Sequence, residues 1–205
     1  MKLTKEHFES CNLDVYQASK GHRYGRESID LANYCEIKSG DRVVEFGAGV
    51  GVISLMLAAK TNLETITAIE VQYSLFEILE KNVEANGLIH KVICHNGDLR
   101  DFASFKTNFE SYDLVLSNPP FFKVGEGKIS SDPQRAGARH ELHGDMKTFL
   151  MAAHSILKPK GKFCVVFNIK RKEELIECAA ESGFELLDVS DSKSKDAFLS
   201  TFLKK

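Results

Sequence analysis

The sequence lacks the features that would assign it to a membrane or secretory class. No apolar run approaches the length of a membrane-spanning helix, and the start, MKLTKEHFES, has no apolar stretch of the kind found in signal peptides. The 5 cysteines are scattered, and none has the C-x-x-C spacing typical of a zinc site. We therefore predict a cytoplasmic protein with reduced thiols, without a membrane segment, a disulfide framework or a metal.

The chain also lacks an excess of charge of either sign. Its net charge is −2, which gives no global argument for nucleic-acid binding, so such a function would need a local basic face. There is no internal repeat and no low-complexity segment. A length of 205 residues with 43% hydrophobic residues fits one globular domain, residues 1–205, with a sizeable core.

Strand and helix patterns alternate along most of the chain, which indicates an α/β fold with a mostly parallel sheet covered on both faces. The predicted order is strand 42–46, helix 51–60, strand 65–70, helix 73–87, strands 91–95 and 112–117, helix 145–157, strand 161–168, helix 171–182, and strands near 184–190 and 197–203. The last two strands form a final hairpin, which distinguishes this pattern from a plain dinucleotide-binding domain.

Two segments do not follow the alternation. Residues 1–25 precede the first strand–helix unit, and residues 123–144 form a long connection without clear periodicity. Long loops in compact domains tend to be functional or disordered. We interpret the first segment either as a cover for substrate and cofactor or as a strand and helix cap that merely cover the sheet. We interpret the second as an active-site loop.

The most informative motif is Asn118-Pro119-Pro120-Phe121, which follows a predicted buried strand. Open α/β sheets bind their ligands at the carboxyl ends of strands. Two adjacent prolines stiffen the backbone, so they would hold the Asn118 side-chain oxygen and the Pro119 carbonyl as neighbouring acceptors. Two acceptors beside an aromatic ring suit a planar ring that carries an exocyclic NH2 group. The alternative is an ordinary turn with Phe121 and Phe122 in the core.

A glycine-rich segment, EFGAGVG, joins the first predicted strand to its helix and contains Gly47, Gly49 and Gly51. Glycines allow a tight turn and a close approach of the backbone to a ligand. The dinucleotide fingerprint G-x-G-x-x-G would need its third glycine at position 52, where the sequence has Val52. The E-x-G-x-G-x-G form that starts at Glu45 instead resembles class I S-adenosylmethionine-dependent methyltransferases.

Further polar residues follow at successive strand ends. A carboxylate at Glu70, where the second strand ends, can accept both ribose hydroxyls of a nucleoside cofactor. After the third strand, Asp98 can accept from the adenine amine while the Leu99 N–H serves a ring nitrogen. The complete predicted cofactor site is Glu45, Gly47, Gly49, Gly51, Glu70, Val71, Asp98, Leu99 and Asn118.

Within the class I methyltransferases, N-P-P-[F/Y] resembles the signature of enzymes that methylate a conjugated planar nitrogen, such as adenine N6, guanine N2 or a glutamine amide. This resemblance implies catalytic roles for Asn118, Pro119, Pro120 and Phe121. The two oxygens would hold the N–H groups of the acceptor, and Phe121 would stack on the target base. No dedicated base is required, because the methylated ammonium is acidic enough to lose its proton to water.

A longer resemblance narrows the substrate. The segment Q-x-x-x-G-H-R-Y-G-x-E-S, from Gln17 to Ser28, is similar to the upstream segment of the bacterial tRNA adenine N6-methyltransferases that modify position 37 of valine tRNA. The run A-R-H-E after the catalytic motif also matches that family. The sequence departs from the family at Glu27, where aspartate is usual, at His22, where tyrosine is usual, and at Asp30, a normally apolar position.

This family resemblance implies a Rossmann-like class I fold: a seven-stranded, mostly parallel sheet with helices on both faces and a final antiparallel hairpin. It implies S-adenosyl-L-methionine as the cofactor and an unpaired tRNA adenine as the target. The predicted substrate-binding residues are Arg23, Tyr24, Phe122 and Arg139. The sequence is compatible with a monomer.

Basic residues near the catalytic edge are modest in number. In the 123–144 loop, four basic residues exceed three acidic ones; the basic residues are Lys123, Lys128, Arg135 and Arg139. The run Lys170-Arg171-Lys172 would extend a binding face at the same edge of the sheet. The alternatives left open are a guanine N2-methyltransferase of ribosomal RNA, a protein glutamine N5-methyltransferase, and a non-catalytic cofactor-binding subunit.

Overall fold

A seven-stranded, mostly parallel sheet forms the centre of the molecule, and a separate two-stranded hairpin precedes it. The computed structural model describes residues 2–101, 111–127 and 129–205. The strands are β1 (Leu3–Phe8), β2 (Leu13–Ala18), β3 (Arg42–Phe46), β4 (Thr65–Glu70), β5 (Val92–Asn96), β6 (Tyr112–Ser117), β7 (Leu157–Asn168), β8 (Phe184–Asp191) and β9 (Ala197–Lys204). The order in the large sheet is β5-β4-β3-β6-β7-β9-β8, and β9 runs antiparallel to both of its neighbours, β7 and β8.

Helices cover both faces of this sheet. In the described part of the chain they are α1 (Arg26–Tyr34), α2 (Val52–Lys60), α3 (Tyr73–Ala85), α4 (Pro133–Arg139), α5 (Met146–Ile156) and α6 (Lys172–Glu181). One buried apolar cluster lies on the side of α1, α2 and α3, and a second lies on the side of α5 and α6. The predicted fold class, including the final antiparallel hairpin, is confirmed.

Two of the predicted irregular segments contain regular structure. Residues 1–25 precede the first strand–helix unit of the large sheet. They contain the antiparallel pair β1–β2, and α1 follows directly. The 123–144 connection contains α4, in which Asp132 caps the helix by accepting from the Arg135 N–H at 2.9 Å. Asp132-Pro133 is a helix-start signal that the search for apolar periodicity missed. Residue 128 of this connection lies outside the described residues.

The strand order places one pair of neighbouring strands at the centre of the site. β3 lies between β4 and β6. The chain adds β4 and β5 on one side of β3 and then crosses to the other side to add β6. In open α/β sheets such a switch point forms a crevice at the carboxyl ends of the strands. Glu45, Glu70 and Asn118 lie in or directly after β3, β4 and β6, so they share that edge.

Asn82 attaches the N-terminal hairpin to the rest of the molecule. This fully buried side chain on α3 accepts from the Tyr16 N–H at 2.7 Å and donates to the Tyr16 and Val50 carbonyls, each at 2.8 Å. One amide therefore satisfies backbone groups of both β2 and the loop that precedes α2. The segment that follows β2 is thereby held over the carboxyl edge of the sheet.

We predict that Asn82→Ala lowers the free energy of unfolding by about 2–4 kcal/mol, because three buried backbone groups lose their partner. Chemical denaturation followed by circular dichroism measures the change. Asn33→Ala is the control, since the exposed Asn33 side chain donates to the Ile29 carbonyl and accepts from Lys60; it should cost about 0.5 kcal/mol or less. Equal losses in the two variants would contradict the role given to Asn82.

Candidate active site

The glycine loop between β3 and α2 has left-handed backbone at each glycine, with φ of 68° at Gly47, 58° at Gly49 and 86° at Gly51. A Cβ added at Gly47 or Gly49 would meet no heavy atom within 4 Å. A Cβ at Gly51 would lie 2.3 Å from Leu79 Cδ1. Gly47 and Gly49 therefore border open space that a ligand can fill, whereas Gly51 is required for packing against α3.

Glu70 holds this loop in position. Its buried carboxylate accepts from the Gly49 N–H through Oε2 and from the Gln72 N–H through Oε1, both at 2.8 Å. Burial raises the pKa of the carboxyl, and the backbone hydrogen bonds oppose the rise. Each carboxylate oxygen retains a second lone pair, so the group can still accept from ribose hydroxyls.

Glu45 connects β3 to the first turn of α2. The Ser54 N–H donates to its Oε2 at 3.0 Å, and the Ser54 hydroxyl donates to the same oxygen. Burial raises the pKa of Glu45 to about 8, and the charge of Glu70 adds to the rise while the Ser54 hydrogen bonds oppose it. The carboxyl also lines a narrow cavity beside the glycine loop, where the sequence predicts cofactor contact.

Three further residues of the predicted cofactor site follow β4 and β5: Val71 after β4, and the predicted adenine partners Asp98 and Leu99 after β5. Leu99 is buried and Val71 is half-buried. Asp98 accepts from the Arg100 N–H and from Arg100 Nε, both at 2.9 Å, and these contacts lower its pKa. To accept from an adenine amine, Asp98 must share its carboxylate with this guanidinium, a partner that the strand-end pattern did not reveal.

The Asn118-Pro119-Pro120-Phe121 loop continues directly from β6. Asn118 Nδ2 donates to Ser28 Oγ at 3.0 Å, which assigns the acceptor atom Oδ1 to the other side of the amide. Pro119 is buried, and the half-buried Phe121 ring packs edge-on against Phe167 with centroids 5.9 Å apart. Backbone stiffness and side-chain packing therefore both fix the loop.

A wide cleft and a narrow cavity meet at this loop. The cleft has a volume of 630 Å³ and is lined on one side by Asn118, Pro119, Phe121 and Phe122. The cavity, of 40 Å³, lies against Glu45, Gly47 and Gly49. His22 and Asn118 line both. Asn118 is therefore placed where a group bound at the glycine loop would meet a group bound in the cleft.

The N-terminal segment and α4 close this junction from above. Gln134 accepts from the His22 N–H at 3.0 Å and donates to Ser74 Oγ at 3.1 Å, and Arg135 donates to the Gly21 carbonyl at 3.1 Å. Burial, together with the charges of Arg135 and Arg139, lowers the pKa of His22 to about 4. The imidazole at the junction is therefore neutral near pH 7.

The four predicted substrate residues separate into two pairs. The Arg139 guanidinium lies 5.5 Å from the centroid of the Phe122 ring, and both residues line the cleft. Arg23 also lines the cleft, but its guanidinium is paired with Glu6. The Tyr24 hydroxyl donates to the same carboxylate, and its ring lines the narrow cavity instead of the cleft.

The basic run at the end of β7 contributes one exposed side chain to the cleft and one buried side chain behind it. Lys170 is exposed and lines the cleft, but Arg171 is buried. Arg171 donates to Glu141 at 2.7 Å and to the Phe121 carbonyl at 3.4 Å, and it also pairs with Glu174. It therefore supports the Asn118-Pro119-Pro120-Phe121 loop through the Phe121 carbonyl, while its charge is balanced by one carboxylate on the segment after α4 and one on α6.

Three side chains that shape the site have no predicted role in the sequence: Ser28, Gln134 and Glu141. Ser28 and Glu141 fall within the stretches that resemble the valine tRNA enzymes, so their position was a usable signal. Gln134 carried no signal, because its role depends on a helix and two segments that meet only in the folded chain.

A family model described as methyltransferase small domain matches residues 28–189. The chain belongs to this family. A protein from Dyadobacter fermentans named tRNA1(Val) (adenine(37)-N6)-methyltransferase is 27% identical over 195 residues, which cover 94% of this chain and 79% of that protein. A protein of the same name from Pectobacterium carotovorum is 30% identical over 179 residues, covering 85% of this chain and 71% of that protein.

A solved structure agrees with this membership at the level of the fold. M. jannaschii TYW2 in complex with AdoMet has a TM-score of 0.64 and 19% identity, covering 99% of this chain and 87% of that one. The prediction of an S-adenosylmethionine-dependent class I methyltransferase is therefore confirmed. The open space beside Gly47 and Gly49, with the Glu70 carboxylate next to it, fits such a methyltransferase cofactor.

Membrane-spanning helices and metal-binding clusters are both absent from residues 2–101, 111–127 and 129–205. No helix in these ranges is long and apolar enough to span a membrane. No group of three or more histidine, cysteine, aspartate or glutamate side chains in them could hold a metal ion.

We predict that Gly47→Ala raises the Kd for S-adenosylmethionine at least tenfold, because the new methyl group occupies the open space beside the loop. Isothermal titration calorimetry measures this. Gly87→Ala is the matched control: its φ is 65°, close to the 68° of Gly47, and a Cβ there also meets nothing within 4 Å. Both variants should lose about 1–2 kcal/mol of stability to backbone strain. A similar change in Kd for both variants would contradict the prediction that the cofactor binds in the open space beside Gly47.

Glu45 also generates a prediction about pH. Because its folded pKa of about 8 lies above the ordinary value of 4.5, the folded protein keeps a proton that the unfolded chain releases. The stability of the cofactor-free protein should therefore fall as pH rises across this window. Glu45→Gln should make the fall in Tm between pH 5 and pH 8 smaller, as measured by scanning calorimetry. The same slope in both proteins would show that Glu45 does not titrate there.

Proposed function

We propose that this enzyme methylates the exocyclic N6 of an unpaired adenine in tRNA, at position 37 of the anticodon loop of valine tRNA. The observation that carries the proposal is the position of Asn118, which lines both the cavity beside the glycine loop and the cleft beside Phe121. The two relatives described above carry the name of this activity, which supports the same assignment.

The acceptor geometry fits an aromatic amine. The lone pair of an adenine N6 is delocalised into the ring, so the nitrogen is a poor nucleophile until its N–H groups are held. Asn118 Oδ1 and the Pro119 carbonyl would accept these two N–H groups, orient the lone pair, and stabilise the positive charge that develops on nitrogen. S-adenosylmethionine supplies an electrophilic methyl group on a sulfonium. The product nitrogen then loses its extra proton to water.

The cleft supplies the surface for the base and its backbone. Phe121 would stack on the adenine, a contact worth about 1–3 kcal/mol. Four cationic side chains line the cleft against two carboxylates; the cations are Arg23, Arg135, Arg139 and Lys170, and the acids are Glu27 and Asp196. This surplus favours phosphate contacts. An anticodon-loop adenine is already unpaired, so turning it into the cleft costs little.

The test is transfer of tritiated methyl from S-adenosylmethionine to unmodified valine tRNA, ribosomal RNA and cell protein. We expect label in tRNA, recovered as N6-methyladenosine, and none in a transcript with guanosine at position 37. Asn118→Ala should lower kcat about 100-fold or more while the Kd for S-adenosylmethionine stays within about threefold, since Asn118 acts on the acceptor nitrogen. Label in N2-methylguanosine, or in protein alone, would reject the proposal.

A further inference from the structure

We propose that Ser28 is a positioning residue for catalysis: it fixes the amide of Asn118 so that the oxygen, not the NH2 group, faces the acceptor nitrogen. The inference deepens the proposed function and rests on it. Ser28 is buried, with 6% of its surface exposed, and its Oγ accepts from Asn118 Nδ2 at 3.0 Å. The contact joins residues 90 positions apart in the sequence.

The orientation of this amide decides whether the site works. An asparagine side chain has an acceptor end and a donor end of nearly the same shape. If the amide turned over, its N–H groups would face the N–H groups of the substrate amine, and two donors repel. The two prolines that follow stiffen the backbone of Asn118, but they do not select between the two ends of its side chain. A hydrogen-bond partner for Nδ2 makes that selection.

Ser28 can serve as that partner because its hydroxyl can donate its proton to another group while its oxygen accepts from Asn118. The residue also lines the narrow cavity beside Gly47 and Gly49, so its O–H proton can be donated into that cavity. The oxygen is then left as the acceptor for Asn118, because a hydroxyl carries only one proton. Ser28 lines the cavity and contacts Asn118, which lines both the cavity and the cleft.

The first turn of α1 is anchored on either side of Ser28. Glu27 accepts from the Ser194 hydroxyl at 2.6 Å, and Asp30 accepts from the Ser192 hydroxyl at 2.9 Å and the Lys193 N–H at 2.8 Å. These donors belong to the β8–β9 connection, which meets the carboxyl end of β7 at the catalytic edge. The backbone that carries Ser28 is therefore anchored on both sides, which limits how far its hydroxyl can move from Asn118.

The test uses Ser28→Ala, the near-isosteric Ser28→Cys, Asn118→Ala and the double variant Ser28→Ala/Asn118→Ala. With valine tRNA transcript and saturating S-adenosylmethionine, each Ser28 variant should lower kcat about tenfold, the rate factor of one ordinary hydrogen bond, with little change in KM for tRNA. Ser28→Ala should add nothing in the Asn118→Ala background, within about twofold. Ser200→Ala, which removes a fully buried hydroxyl from β9, should keep the wild-type kcat.

Three results would overturn the inference. They are a wild-type kcat in the Ser28 variants, an additive loss in the double variant, or a raised Kd for S-adenosylmethionine by calorimetry as the sole effect of removing the hydroxyl. Thermal unfolding of each variant identifies any that has lost its fold. If Ser28→Ala does not fold, Ser28→Cys carries the comparison, since sulfur is only a weak acceptor.

A second readout separates this inference from the proposed function. If the wild-type protein fails to methylate tRNA, the proposed function is wrong, but the contact can still be measured. In ¹⁵N spectra, the side-chain NH2 signals of Asn118 are those missing from Asn118→Ala. They should shift and exchange with water faster in Ser28→Ala, and stay unchanged in Ser200→Ala. Unaltered signals in Ser28→Ala would reject the contact itself.

Discussion

The active site depends on one buried interaction, the hydrogen bond from the Gly49 N–H to the Glu70 carboxylate. It joins the glycine loop after β3 to the end of β4, and the second oxygen of Glu70 binds the backbone at the start of α3. A buried carboxylate is costly unless donors surround it, so the loop and the acid stabilise each other. The result is a turn with left-handed glycines whose open side borders the space predicted to receive the cofactor.

Distant segments complete the site, and they are attached through amide and hydroxyl side chains. Asn82 holds the N-terminal hairpin, Gln134 connects α4 to the segment at His22 and to Ser74, and Ser28 contacts Asn118. These contacts are directional, so they set position more sharply than apolar packing alone. The apolar clusters on the two faces of the sheet provide the stability against which these polar contacts are made.

Most of the sheet could be predicted because its strands are short, buried runs with clear ends. The predicted strands 42–46, 65–70 and 112–117 match β3, β4 and β6, and their end residues include Glu70 of the predicted cofactor site. The errors have physical causes. Helix α4 has a capping signal but little apolar periodicity, and Arg171 belongs to a basic run yet is buried by its pairing with Glu141 and Glu174. A cap that lies outside the apolar pattern decides the first case, and Glu141, 30 positions before Arg171, contributes to the second.

From β3 onward, with the exception of α4, the sequence by itself determined the order of the strands and helices. It also determined the glycine loop and the stiff pair of acceptors at Asn118 and Pro119. These are local properties, since they follow from backbone preferences and residue spacing. Only the tertiary structure decided that Asn118 lines both the cavity and the cleft, and that its NH2 group meets Ser28. The reason is that an amide's orientation depends on which partner the fold brings to it, and no local pattern encodes that partner.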